Sequence, residues 1–348
     1  LLQKLALAVV MPLVLLALLE LLLRISPWDE ELGPERFVGG LSFHTHFWDP
    51  NCPLPSPMTE SLLEGEFRGK KTTRNKPAGV YRIISMGGSS TFGWPYNDRP
   101  EVAYPAQLER QLRAHPPDPK LRYEVLNAGI GGYSSFQGLS YMKKRLVHFS
   151  PDMVTVCFGA NDGHNNHEIG VNLSDREYYE RQQRLQDNKM VSGLRAWLSR
   201  LRLFGLMSRG VFAIKKATSD PRPRVPVGEF EQNLREYVKL GREHGFLVLL
   251  ILEAARGTPD RFAPREPCPP LEPNSTCQYY KAIFRVGRDN RDIAGVLDTT
   301  EMLAENAAIY DELFYDVGHF TVRGNRIMGQ WTYRAVKKLM QRSATPAR

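Results

Sequence analysis

The sequence predicts an α/β fold: a central parallel sheet with helices on both faces, preceded by an N-terminal transmembrane helix. Three observations carry this. Short apolar runs of strand length alternate with segments of helical spacing from about residue 80 to residue 340. The first three of these runs open directly into polar, Gly-rich segments, and in open α/β sheets the ligand site lies beyond the carboxyl ends of the strands. The chain also begins with a long apolar run, Leu5–Leu23, broken only by Pro12 and Glu20. The 348 residues are 42% hydrophobic and 24% charged, an ordinary globular balance that excludes wholesale disorder and collagen-like structure. A mean hydropathy of −0.37 excludes a polytopic membrane protein.

At 1.5 Å per residue the run Leu5–Leu23 spans about 28 Å, close to a hydrocarbon core. It is followed by Arg24, Ile25, Ser26, Pro27 and Trp28, with no small-x-small cleavage site, so a signal anchor is favoured over a cleaved signal peptide or a buried core helix. Lys4 precedes the run and Asp29, Glu30 and Glu31 follow it, which places the bulk of the chain outside the cytoplasm. Residues 1–24 are thus expected to be the anchor. Residues 25–78, rich in Pro, Gly and charge, read as a membrane-proximal linker.

The regular pattern follows, over residues 79–345. Val80–Met86 reads as a buried strand ending in Gly87-Gly88-Ser89-Ser90. Val102–Ala114 has helical spacing, with Leu108 and Leu112 four apart. Tyr123–Leu126 is a second strand, running into Asn127-Ala-Gly129-Ile-Gly131-Gly132. Phe136–Phe149 is a helix. Met153–Phe158 is a third strand, running into Gly159-Ala-Asn161-Asp162. Residues 163–228 interrupt the rhythm and read as a helical insertion. Phe230–His244 is a charged helix and Phe246–Leu252 a strongly apolar strand. Tyr279–Asp289 is a helix, Gly295–Asp298 a short strand and Val322–Met340 a final helix. Uniformly apolar strands separated by helices belong to a sheet buried on both faces.

Singly, each polar segment has a plain structural account. Gly87–Gly93 lacks the Lys of a phosphate loop, and a tight strand-to-helix turn explains it equally well. Gly159-Ala-Asn161-Asp162 is a possible helix cap, and Asp316-Val-Gly-His319 a possible surface loop. Together they supply what an acyl transfer needs: a hydroxyl, a base, a group to orient the base, and donors for a developing oxyanion.

Their order resembles the SGNH (GDSL-type) hydrolase family. Gly87-Gly88-Ser89-Ser90-Thr91 looks like its first block, G-D-S-x-T. Asn127–Gly132 resembles the second, Gly159–Asp162 matches the third, G-x-N-D, and Asp316–His319 matches the last, D-x-x-H. One position departs: the Asp that usually precedes the nucleophile is Gly88, where glycine would permit a turn with positive φ. The resemblance covers roughly residues 80–340 and implies a flavodoxin-like three-layer sandwich. It implies Ser89, Asp316 and His319 as catalytic residues, and an oxyanion hole of the Ser89 and Gly132 N–H groups and the Asn161 amide. It implies hydrolysis of an ester on an acylated small molecule, carbohydrate or lipid. An O-acetyltransferase with the same acyl-enzyme, and a non-catalytic polysaccharide-binding factor, are the alternatives. Neither a metal nor an organic cofactor is implied, since nucleophile and base come from the chain.

Other features stay open. Cys268 and Cys277 flank a Pro-rich loop and suit either a local disulfide or two thiols, while Cys157 reads as a buried thiol and Cys52 has no evident partner. Asn172 and Asn274 open glycosylation sequons. His44-Thr-His46 and His164-Asn-Asn-His167-Glu168 have metal-like spacing without zinc-type companions and read as loop histidines, with substrate contact open for the second pair. Trp94 and Tyr96 either line a sugar or acyl site or simply pack. The net charge of +8 is local. Leu194–Lys216 carries six basic residues and no acid, and Val317–Arg348 seven and no acid. The first stretch suits a membrane-surface helix, a lid or a solvated insertion. The second complements the dipole of a last helix. No aromatic-basic module for nucleic acid is present.

Overall fold

The computed structural model describes residues 2–26, 66–164, 173–187, 189–198, 200–218, 222–256 and 276–344. The chain divides into two compact units, residues 1–52 with 165–222 and residues 53–164 with 223–348.

The second unit is the α/β body. A short hairpin, β1 (Glu66–Phe67) and β2 (Lys70–Lys71), precedes the main sheet. That sheet comprises β3 (Val80–Gly87), β4 (Arg122–Asn127), β5 (Met153–Cys157), β6 (Leu247–Ile251) and β7 (Ala294–Leu297). All four pairings are parallel, in the order β4-β3-β5-β6-β7. Ile83 and Ile84, Met153 and Val154, and Leu249 and Leu250 are all buried, so adjacent residues of one strand face opposite helix layers. Burying each such side chain contributes about 1.5–3 kcal/mol.

Helices α3 (Tyr104–Ala114) and α11 (Val322–Ala344) pack together on one face. Helices α4 (Ser135–Lys144), α9 (Val227–His244) and α10 (Thr276–Asp289) cover the other. The strand order is that of flavodoxin-like sheets. It reverses between β3 and β5, and the crevice at that point, outside the carboxyl ends, is where such sheets hold ligands. The α/β sandwich expected from the alternating pattern is therefore present. Boundaries shift slightly: Pro100–Val102 forms a separate 3₁₀ turn ahead of α3, and the expected helix 136–149 breaks at Arg145 into α4 and a 3₁₀ turn, Leu146–Phe149. The hairpin was not anticipated. It is tied to β4 by Arg68 N–H donating to Asn127 O and Lys70 donating to Val125 O.

The first unit is helical. It contains α1 (Leu2–Ile25), α6 (Asp175–Asp187), α7 (Lys189–Leu198) and α8 (Arg202–Thr218). The transmembrane helix expected over residues 1–24 is corrected here: among the described residues no helix is long and apolar enough to cross a membrane. The C-terminal end of α1 is polar. Glu20 accepts from the N–H groups of Arg202 and Leu203 and from Arg24, whose guanidinium also donates to Arg200 O. Burial raises the Glu20 carboxyl, but those N–H bonds and the Arg24 charge hold it below its usual range overall. With that span goes the expected membrane attachment, and the expected placement outside the cytoplasm has nothing else behind it. Most of the expected linker, with Cys52, His44, His46, His167, Cys268, Asn172 and Asn274, lies outside the described residues. Cys157 is a buried free thiol, and Cys277 is disulfide-bonded.

Candidate active site

Four loops meet at the carboxyl edge of the sheet. β3 runs through Gly87 and Gly88 straight into α2 (Ser89–Phe92), a single turn closed by Gly93 in the left-handed region at φ 92°. Ser89 is therefore the second residue beyond the end of β3. Gly88 has φ −84°, so the positive φ expected of it is not used. What the position needs is space, since a Cβ there would lie 2.7 Å from Nδ2 of Asn161.

The loop after β4 braces this turn. Asn127 donates from Nδ2 to Thr91 O (2.9 Å) and accepts from the N–H of Gly129 (2.9 Å). Gly132 follows at φ 77°, a left-handed conformation that favours glycine. Ser134 and Gln137 then form a reciprocal capping box at the start of α4. After β5, α5 (Ala160–Gly163) carries Asn161, whose amide donates to Tyr133 O at 3.0 Å. Gly132, through the adjacent Tyr133 carbonyl, and Asn161 are thereby held side by side. Buried Asp162 accepts from the N–H and hydroxyl of Ser135, locking this loop to α4.

The fourth loop comes from the other end of the chain. Phe314 and Phe320 form a β-bridge, and Tyr315 N–H donates to His319 O (2.8 Å), pinching off residues 315–319. Asp316 Oδ1 accepts from the N–H groups of Gly318 and His319, both at 2.9 Å. The loop thus folds around the same carboxylate that faces the imidazole. His319 Nδ1 lies 2.8 Å from each Asp316 oxygen, and His319 Nε2 lies 2.7 Å from Ser89 Oγ. Burial raises the Asp316 carboxyl, but the bonds from His319 and the loop N–H groups outweigh it and hold the group below its usual range.

Ser89, His319 and Asp316, 230 residues apart in sequence at the extremes, are thus brought into one hydrogen-bonded line, with Gly132 and Asn161 on the two adjoining loops. Trp94 is half-exposed beside His319, with ring centroids 6.5 Å apart. Tyr96 instead packs under Arg99. His164 uses its carbonyl to accept from Arg224 N–H (2.8 Å). Among the described residues no group of three His, Cys, Asp or Glu side chains could hold a metal.

Two residues at the site were missed in the sequence. Arg224, from a Pro-rich stretch with no motif, donates to Gly132 O (2.7 Å) and Gln137 Oε1 (2.8 Å) and so fixes the Gly132 loop. Glu253 is buried just past the end of β6. Its signal was available: it is the one charged residue directly after the apolar run Phe246–Leu252.

The profile of the GDSL-like Lipase/Acylhydrolase family matches residues 85–327, which takes in all four loops. No match is found among curated proteins. Among solved structures, the chain is similar to a lipase/acylhydrolase from Enterococcus faecalis, at 19% identity over 74% of this chain and 96% of that one, with a TM-score of 0.46. It is also similar to the acetylxylan esterase Axe2 from Geobacillus stearothermophilus, at 18% identity over 74% and 94%, TM-score 0.46. An acetyl xylan esterase, AlAXEase, aligns at 18% identity over 73% and 99%, TM-score 0.45. These structural likenesses are weak, and the family rests on the profile match across most of the α/β body. On that match the chain belongs to the GDSL-like lipase/acylhydrolase family and is a serine hydrolase acting on ester bonds.

Proposed function

We propose that Ser89 is the nucleophile, His319 its base and Asp316 the group that orients the base, and that the substrate is an acylated carbohydrate or lipid. The observation that carries the reading is the 2.7 Å separation of Ser89 Oγ and His319 Nε2, with both Asp316 oxygens 2.8 Å from Nδ1. A proton on Nδ1 shared with Asp316 leaves Nε2 as an acceptor for the serine proton. Ser89 Oγ then adds to the ester carbonyl, and His319 passes the proton to the departing alcohol. Water repeats the sequence on the acyl-enzyme and releases the acid. The oxyanion is held by the N–H groups of Ser89 and Gly132 and by Asn161. The Asn161 amide has two hydrogens, and the bond to Tyr133 O uses one. Half-exposed Trp94 beside His319, with exposed Tyr315 and Val317 on the same loop, supports an apolar or ring-bearing substrate.

The test is turnover of p-nitrophenyl acetate, with a fluorophosphonate label as readout of the nucleophile. Ser89→Ala and His319→Ala are expected to lose turnover, and Ser89→Ala to lose labelling, with the fold retained. Full activity or labelling in Ser89→Ala overturns the assignment.

A further inference from the structure

One buried carboxyl touches the chain neighbours of two of the site residues and reaches that of a third through Ser90. Glu253 Oε1 lies 2.9 Å from Oγ of Ser90, next to Ser89. Glu253 Oε2 accepts from the N–H of Ala160, next to Asn161, at 2.9 Å. Ser90 Oγ also lies 3.0 Å from the carbonyl of Gly318, next to His319. The segment bearing Glu253 is itself fixed. Tyr280 Oη donates to Glu253 O (2.6 Å), and Arg256 N–H donates to Val317 O (2.7 Å).

The hydrogen count at Ser90 decides the form of the carboxyl. Gly318 O can only accept, and Ser90 has one hydroxyl hydrogen. An ionised Glu253 would compete for that hydrogen and leave the Gly318 carbonyl without it. A neutral Glu253 donates from Oε1 to Ser90 Oγ, freeing the Ser90 hydrogen for Gly318 O, and every contact is satisfied. We propose that Glu253, as the neutral acid, is a positioning residue that clamps the Ser89, Asn161 and His319 loops in register through Ser90, Ala160 and Gly318.

The surroundings agree. Burial raises the Glu253 carboxyl above its usual range, although the Ala160 and Ser90 bonds and the charges of His319 and His164 pull against it. The other titratable groups facing it, Cys157 and Tyr104, are kept neutral by their own burial. A neutral Glu253 also leaves Asp316 as the carboxylate that balances an imidazolium at His319.

This inference rests on the reading of Ser89 and His319 given above. The test compares wild type, Ser89→Ala, Glu253→Ala and Glu253→Gln on p-nitrophenyl acetate, measuring kcat, KM and the pH dependence of kcat. Glutamine reproduces the neutral acid, with its oxygen toward Ala160 and its amide donating to Ser90. Glu253→Ala is expected to lower kcat roughly 10- to 100-fold, as misplacement of reacting groups by up to about 1 Å does, with KM little changed. Glu253→Gln is expected to rescue most of that loss and to remove the fall in kcat with rising pH that ionisation of Glu253 causes in the wild type. A Glu253→Gln enzyme as slow as Glu253→Ala, or wild-type kcat in Glu253→Ala, overturns the proposal. If Glu253→Ala does not fold, the Glu253→Gln profile decides alone, and one superimposable on wild type overturns it. Activity surviving in Ser89→Ala refutes the underlying assignment instead, whereas inactive Ser89→Ala with fully active Glu253→Ala refutes only the clamp.

Discussion

Gly88 lies against the Asn161 amide so closely that a Cβ would stand 2.7 Å from Nδ2. The atom met is the end of a side chain rather than backbone, so a methyl group there displaces the amide more readily than it disturbs the fold. The amide cannot turn far without losing its bond to Tyr133 O. Gly88→Ala is therefore expected to keep its Tm within a few degrees and to lower kcat roughly 10- to 100-fold, toward the loss of one oxyanion donor. Unchanged kcat would show that Asn161 does not need its present position.

Asp316 has two tasks that a single substitution separates. Its Oδ1 holds the Gly318 and His319 N–H groups, which shapes the loop, while both oxygens face Nδ1 of His319. Asparagine can keep the first task by turning its oxygen toward the backbone. It then brings an NH₂ toward Nδ1 and favours the tautomer with the proton on Nε2, which cannot accept from Ser89. Asp316→Asn is expected to lower kcat roughly 10²- to 10⁴-fold with KM and Tm almost unchanged. A comparable loss of Tm would mean the residue serves mainly the loop.

How far the sequence reveals this site follows from what each residue does. Ser89, Asn161, Asp316 and His319 stand in short blocks legible in local order, and the blocks of Ser89 and Asn161 follow strands that periodicity alone identifies. Glu253 and Arg224 act across the fold, through Ala160, Ser90 and the Gly132 carbonyl, and nothing local marks the far partner of such a bond. The insertion read over residues 163–228 takes in Arg224, because Pro-rich flanks hide its return to the α/β body. The apolar run at the N-terminus misled for a related reason. Hydropathy counts residues and does not register that Glu20 would be engaged by the N–H groups at the start of α8.

Glu253 also predicts a direction for stability against pH. A carboxyl raised in the folded state favours folding fully below the carboxylate range of the unfolded chain, and that contribution is lost as pH rises through the folded value. Glutamine has no such titration. The Tm of Glu253→Gln relative to wild type is therefore expected to rise as pH climbs from the carboxylate range of the unfolded chain toward the raised folded value, measured by thermal melts in matched ionic strength. A constant difference across that range would mean that Glu253 does not change its ionisation there.

At the opposite end of the sheet, Arg82 lies fully buried in β3, where an apolar residue would be expected. Its guanidinium donates to Glu124 Oε2 and to Phe149 O, both at 2.6 Å, and to Thr73 O at 3.1 Å, while its N–H donates to Asp152. Replacing it with leucine supplies comparable bulk but leaves the Phe149 carbonyl and the mostly buried Glu124 carboxylate without their donor. Breaking a buried pair by removing one partner typically costs about 3–5 kcal/mol. Glu124 keeps a fifth of its side-chain surface exposed and a bond from Thr72, so the lower end, about 3 kcal/mol, is expected for Arg82→Leu. Ser89 lies beyond the far end of the same strand, so kcat per folded molecule should be unchanged. Chemical denaturation with parallel esterase assays checks both parts. A stable Arg82→Leu protein would show that water or a shifted side chain replaces the lost donors.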